Sequence, residues 1–280
     1  MSTPAVPRAD LLDVELPKSL WSRSGRPLQG RLSRGLFAST LLLVGLALPW
    51  PQIGLSMAAA GVVGFVLWPW IVDAIVQRKE SSIRAATKDD AQRRLEQFDK
   101  GVLVSAFAAD AWVTLQRGRL FLALGDGRSA AQSFADTARI VRDPKLPAML
   151  SAQARALMLA GDRAGARTHL MELAEANELG PRDRLDLGVV MLDEAARADQ
   201  ARAHLEAAHE ALDGHPQACA ALAVSLARAD ETDRAMELLT RAEAEVGDAD
   251  VFGNELVKRA RKALRPAREA AKKKKKRHKG

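Results

Sequence analysis

The sequence predicts an all-α fold in which a two-helix transmembrane hairpin precedes an α-solenoid of helix pairs. Aromatic residues make up only 4% of the chain and Tyr is absent, whereas Ala, Leu and Arg, which favour helices, are abundant. No charged residue occurs between Arg34 and Asp73, and a repeat with a period near 34 follows. These observations divide the chain into a basic cytoplasmic N-terminal segment (1–34), the hairpin (35–77), a connecting helix (78–100), the solenoid with a C-terminal capping helix (101–265) and a disordered Lys-rich tail (266–280).

The uncharged run is too long for one membrane span. It covers 38 residues, whereas a spanning helix needs about 20. Pro49 and Pro51 flank Trp50 near its middle, and Pro interrupts helices, so the run reads as two helices joined at this point. The first arm, 36–50, is shorter than the second, 53–76. A single kinked span is the alternative, and it would move the repeats to the other side of the membrane.

Basic residues flank the run on both sides and predict its orientation. Because Lys and Arg concentrate on the cytoplasmic side, both flanks are expected there, which requires an even number of spans. The repeats and both termini are therefore expected at the cytoplasmic face of the inner membrane. The flanking residues are Lys18, Arg23, Arg26, Arg31 and Arg34 upstream and Arg78, Lys79, Arg84 and Lys88 downstream.

Downstream of residue 100 the sequence repeats four times. Each repeat has an alanine followed four residues later by a large apolar residue, and the alanines are 36, 35 and 34 residues apart. Such a period is typical of stacked helix-turn-helix units, which bury a continuous core only when several stack. The four pairs are Ala130/Phe134, Ala166/Leu170, Ala201/Leu205 and Ala235/Leu239.

These residues resemble the tetratricopeptide repeat (TPR) family over about residues 100 to 250. The first repeat has the small residue, the Gly-Asp turn and the aromatic of that pattern at Gly118, Gly125, Asp126 and Phe134. The third and fourth repeats have "AARADQ" and "ARADETD" instead of the turn. The resemblance implies a scaffold that binds a protein or peptide and performs no catalysis.

By the same resemblance, the first helix of each repeat lines a partner groove. Two arginines come early in this groove and three acidic residues follow, so it would suit a peptide with opposite charges at its ends. Ordinary solvated helix surface is the alternative. The predicted groove residues are Trp112, Leu115, Arg119, Arg155, Met158, Asp186, Asp193, Glu194 and Arg228.

The C-terminal tail is a run of like charges, which predicts disorder. At the membrane it could bind anionic lipid, whereas nucleic acid is a weaker candidate because no aromatic residue lies among the lysines to stack on bases. The alternative function is therefore an adaptor whose tail binds nucleic acid, ribosomes or lipid, with the repeats as spacer. The predicted polyanion-binding residues are Lys272, Lys273, Lys274, Lys275, Lys276 and Arg277.

No motif in the sequence carries catalytic or metal chemistry. The chain has one cysteine, Cys219, and its five histidines lack metal-ligand spacing. We therefore expect no catalytic residue, no cofactor and no metal, and we interpret Cys219 as a small core residue. The favoured function is a membrane-anchored scaffold for a protein partner.

Overall fold

The computed structural model describes residues 78–84, 86–100, 110–247 and 250–277, together with nine scattered positions between 39 and 63. All regular structure within these residues is helical. The helices are α1 (Lys88–Asp99), α2 (Asp110–Leu124), α3 (Gly127–Val141), α4 (Pro147–Leu159), α5 (Arg163–Glu175), α6 (Pro181–Met191), α7 (Ala198–Ala211), α8 (Pro216–Arg228), α9 (Thr232–Glu245) and α10 (Val251–Arg277), with a short 3-10 turn at Ala195–Arg197.

The chain divides into two compact units, with the boundary between Ala160 and Gly161. The first unit contains the helical residues 78–84 and α1 to α4, in which consecutive helices from α1 onwards pack on one another. The second unit contains α5 to α10, where α10 packs against both α8 and α9.

In the first unit, small residues let neighbouring helices approach closely. A Cβ atom at Gly118 of α2 would lie 2.5 Å from the ring of Phe134 of α3, which is itself fully buried. A Cβ atom at Gly127 would lie 2.3 Å from the backbone oxygen of Ala156 in α4. Gly118 and Phe134 of the first repeat therefore pack against each other within one helix pair.

The predicted Gly-Asp turns start the second helix of the first two repeats. Gly125 and Gly161 have φ angles of +85° and +80°, a left-handed conformation that glycine adopts without strain. The aspartate after each glycine then caps the next helix. Asp126 accepts a hydrogen bond from the backbone N–H of Ser129 at 3.1 Å, and Asp162 accepts one from Gly165 at 2.9 Å.

In the second unit, the third and fourth repeats keep the helix pair without this turn. The short 3-10 turn precedes α7, whereas Asp230 takes the left-handed conformation before α9, with φ +63°. Gly188 of α6 has the role of Gly118, since its Cβ atom would lie 2.6 Å from the Leu205 side chain. Gly188 is not among the residues predicted from the sequence, because the repeats align on an alanine and an apolar residue of their second helices.

The core of the second unit contains the predicted repeat residues. Ala201, Leu205, Ala235 and Leu239 are fully buried. Cys219 is also buried, its thiol donates a hydrogen bond to the Gly214 oxygen at 3.0 Å, and burial raises its pKa. The prediction that it is a small core residue is confirmed. The described residues thus form an all-α, solenoid-like fold of helix pairs that resembles TPR.

Helix α10 ends the second unit as the predicted cap and continues further than expected. Its buried side chains are Leu256, Val257, Ala260 and Leu264. The helix then continues past Pro266 to Arg277, where the sequence predicts a disordered tail. Ala and Lys have high helix propensities, and a packed first half removes the cost of helix nucleation. The prediction of disorder gave more weight to repulsion among the lysines than to these two effects.

The predicted transmembrane hairpin falls almost entirely outside the described residues. In the part of the chain that the structure describes, no helix is both long and apolar enough to cross a membrane. Among the scattered helical positions of the run, Leu43, Leu55 and Val63 are each more than half exposed.

Candidate partner-binding faces

The predicted groove residues of the first repeat lie under another part of the chain. Trp112, Leu115 and Arg119 of α2, called the α2 face here, are all buried. Their apolar cover contains Ile83, together with Leu95 and Phe98 of α1, in the same hydrophobic cluster. The Phe98 and Trp112 rings lie 5.8 Å apart at 44°. The prediction that these positions are open to a partner therefore needs correction, because residues 78–99 occupy the face.

An ion pair fixes this cover at one end. The guanidinium of Arg119 is fully buried and donates to Glu80 Oε1 at 2.9 Å and to Gln116 Oε1 at 3.1 Å. Arg84 also donates to Glu80, at 3.1 Å. Burial opposes the charge on Glu80, but the hydrogen bonds and charges of Arg119 and Arg84 outweigh it and lower the pKa of this carboxyl. Arg119 thus binds a carboxylate of its own chain.

The remaining predicted groove residues of the first unit lie on helix α4 and are closer to the surface. Arg155 and Met158 are half-buried, and the neighbouring Leu159 is exposed. They offer a smaller surface than the predicted groove, since Trp112, Leu115 and Arg119 do not contribute to it.

In the second unit, arginines of the same chain pair with all three predicted acidic residues. Asp186 is buried, with Arg182 Nε 3.7 Å from its carboxylate. Glu194 forms ion pairs with Arg167 and Arg197. The acidic residues predicted for the groove therefore each have an arginine partner within their own unit.

Asp193 is the centre of the largest of these charge clusters. Its carboxylate pairs with Arg163 at the start of α5, with Arg228 at the end of α8 and with Arg259 of α10. The Arg228 distance is 3.6 Å, and Arg228 also donates to the backbone oxygen of Leu192. We call this surface the Asp193 face, and it includes the neighbouring ion pairs of Glu194 with Arg167 and Arg197.

The arginines of the Asp193 face repel one another. Burial first, and then the charge of Arg259, lower the pKa of Arg163 and of Arg228. Burial also lowers the pKa of Arg259, although the nearby Glu255 opposes this effect. Asp193 and Glu255 therefore do not fully compensate the positive charge of the three guanidinium groups.

Sequence reasoning missed Arg163 and Arg259. Arg259 lies in the predicted capping helix, and Arg163 follows the Gly-Asp turn of the second repeat. The two residues meet at Asp193 although Arg259 is 66 positions away from it. The period of the repeats is the only signal that could have brought these positions together, and it does not specify which charges pair.

The predicted polyanion-binding tail stays a prediction. The backbone of Lys272, Lys273, Lys274, Lys275, Lys276 and Arg277 is helical, but their side chains lie outside the description. Across the described residues, no group of three or more His, Cys, Asp or Glu side chains is placed to hold a metal ion.

Comparison with known proteins finds similarity among solved structures. No family model matches the chain, and no curated protein matches it. Among solved structures, the chain is similar to YrrB, described as a TPR protein with an unusual peptide-binding site. The sequence identity is 20% and the TM-score 0.43, and the match covers 62% of this chain and 84% of that chain.

Proposed function

We propose that this protein is a membrane-anchored TPR-like scaffold that binds a protein partner at the cytoplasmic face of the inner membrane and performs no catalysis. The Asp193 face is the observation that supports partner binding most strongly. Its side chains come from α5, the segment after α6, α8 and α10, and most of them are a third to a half exposed. A surface built from so many elements, yet open to solvent, suits recognition.

Stability alone does not account for the arginines of this face. An exposed ion pair contributes about 0–1 kcal/mol, and additional like charges around one carboxylate add repulsion. The buried alanines and leucines of the same unit provide a conventional hydrophobic core without them. The extra positive charge is therefore available for a partner.

Two features support the membrane part of the proposal. The run between Arg34 and Asp73 has no charge, and basic residues flank it on both sides. Leu43, Leu55 and Val63 lie in helical conformation and are more than half exposed, which is favourable in lipid and costly in water. The hairpin would place the repeats and both termini in the cytoplasm.

Photo-crosslinking in intact cells tests partner binding. A photoreactive residue replaces Ala229, which is exposed beside Arg228, or Ala196, which is exposed in the 3-10 turn near Glu194. Thr240, exposed on α9, provides the matched control position. We expect a discrete crosslinked product at the first two positions only, and its loss when Arg228→Glu is added. Equal crosslinking at all three positions, or none, would refute the proposal.

Reporter fusions test the membrane topology separately. A reporter active only in the periplasm and one active only in the cytoplasm are fused after residue 100 and after residue 280. The proposed hairpin gives cytoplasmic activity at both sites, because two spans return the chain to its starting side. Periplasmic activity at either site would favour a single kinked span.

A further inference from the structure

We propose that the Asp193 face binds the carboxylate side chains of an acidic segment in the partner, and that Asp193 is an internal carboxylate which occupies this site until the partner arrives. The proposal rests on the proposed function, since it names the chemistry of the partner at that surface. The guanidinium groups of Arg163, Arg228 and Arg259 are the binding groups.

The three guanidinium groups have more hydrogen-bond donors than Asp193 can accept. Arg163 pairs with Asp193 Oδ2, whereas Arg228 and Arg259 share Oδ1. Three guanidinium groups carry about fifteen N–H donors, but a carboxylate accepts only about four hydrogen bonds. Asp193 therefore leaves donors available even while it is paired with all three arginines, and a second carboxylate can bind beside it or replace it.

The Asp193 face carries more positive than negative charge. Five arginines, at 163, 167, 197, 228 and 259, surround three carboxylates, those of Asp193, Glu194 and Glu255. The face thus has an excess of two positive charges, which an acidic segment would neutralise. The mutual repulsion of these arginines would fall when such a segment binds.

Two of the three arginines are accessible to a partner. The side chain of Arg259 is only 19% exposed, so it is the least accessible of the three arginines. Those of Arg163 and Arg228 are 54% and 46% exposed. A partner carboxylate can therefore reach the two outer arginines without opening the hydrophobic core.

The anion already present at the face indicates what a partner would supply there. Residues 161–250 have a net charge of −11 and residues 251–280 a net charge of +11, so the second unit has no overall positive charge that would favour a long polyanion. Asp193 also shows directly that a carboxylate fits among the three guanidinium groups, a pairing that arginine favours.

Peptide binding by the full chain in detergent micelles tests the proposal. The probe is a fluorescent peptide in which Glu alternates with Ala, and its matched control has Gln at every Glu position. We expect the double variant Arg163→Gln/Arg228→Gln to weaken binding of the Glu peptide by about tenfold or more. Asp193→Asn should strengthen it severalfold, because the internal competitor loses its charge. The control Arg202→Gln, whose ion pairs with Glu206 and Glu231 lie outside the face, should leave affinity within about twofold.

The opposite results would overturn the proposal. These are equal binding of the Glu and Gln peptides, weaker binding by Asp193→Asn, or equal losses in the Arg202→Gln control and the double variant. Stronger competition by inorganic phosphate or by a DNA oligonucleotide than by unlabelled Glu peptide would also overturn it, in favour of a polyanion. Circular dichroism checks that each variant is folded. If Arg163→Gln/Arg228→Gln is unfolded, Arg163→Lys/Arg228→Lys takes its place, because lysine keeps the positive charge.

The two levels of the hypothesis fail separately. If the Glu peptide does not bind as expected but crosslinking at Ala229 is retained, the acidic segment is rejected and the proposed scaffold function stands. Retained peptide binding without crosslinking in cells would leave the carboxylate site and reject the scaffold function.

Discussion

The α2 face of the first unit and the Asp193 face of the second unit are both occupied by the chain itself, but by different kinds of contact. Residues 78–99 cover the α2 face with buried apolar side chains and with Glu80, which pairs with the buried guanidinium of Arg119. The Asp193 face is closed only by ion pairs whose side chains are partly exposed. A partner would have to break a hydrophobic cluster to reach the first face, whereas at the second it exchanges one carboxylate for another.

This difference predicts that substitutions at the two faces will have different effects on stability and on partner affinity. Substitutions at the α2 face should lower the free energy of unfolding, and substitutions at the Asp193 face should lower partner affinity with little effect on folding. Trp112→Ala, Glu80→Gln and Arg228→Gln test this contrast, whereas Gly118→Ala tests the packing of α2 on α3. All four are measured on the full chain in detergent micelles by urea denaturation followed by circular dichroism, and they are given in order of decreasing effect.

Trp112→Ala should have the largest effect. The indole is buried against Phe98, so its removal leaves a cavity and should lower the free energy of unfolding by about 3–5 kcal/mol. Trp112→Phe retains an aromatic ring at this position and should lose less. A loss below about 1 kcal/mol for Trp112→Ala would mean that residues 78–99 do not form a stable cover.

Gly118→Ala should cost about 1–3 kcal/mol, and the equivalent change in the second unit should cost less. The new Cβ atom would lie 2.5 Å from the rigid ring of Phe134, whereas at Gly188 it would meet the flexible side chain of Leu205 at 2.6 Å.

Adding Phe134→Leu should rescue Gly118→Ala. This combination reproduces the residues at the matching positions of the fourth repeat, Ala223 and Leu239, both of which are fully buried. Equal costs for Gly118→Ala and Gly188→Ala, or the absence of rescue, would contradict the assigned repeat packing.

The repeats show how much of the structure the sequence could predict. Phe134 and Gly125 lie at fixed offsets within a repeat, and the contacts that they make are local, so periodicity alone identified the helix pairs and their turns. The cover over Trp112 and the cluster around Asp193 were not predictable in this way. The cover depends on residues 78–99, which the repeat pattern does not include. The cluster depends on α10, whose orientation the repeat pattern does not specify.

Glu80→Gln tests the ion pair at the end of the cover. Glutamine keeps an acceptor but loses the charge opposite the buried Arg119, which should cost about 1–2 kcal/mol at neutral pH. The pKa of Glu80 is below its ordinary value of 4.5, so its ionised form stabilises the fold above that pH. This contribution is lost as the pH falls through the lowered pKa. The difference between the wild-type chain and Glu80→Gln should therefore narrow below pH 4.5, and a constant difference would contradict the ion pair.

Arg228→Gln should have the smallest effect on stability. The side chain is 46% exposed, and its pairing with Asp193 at 3.6 Å is offset by repulsion from Arg259, so the cost should be about 0–1 kcal/mol. Glu80→Gln is the matched comparison, because it also removes one charge from an arginine–carboxylate cluster but at a buried guanidinium. A cost for Arg228→Gln above that for Glu80→Gln would show that the Asp193 face is structural. A cost near zero, together with weaker binding of an acidic peptide, would separate recognition from stability at this surface.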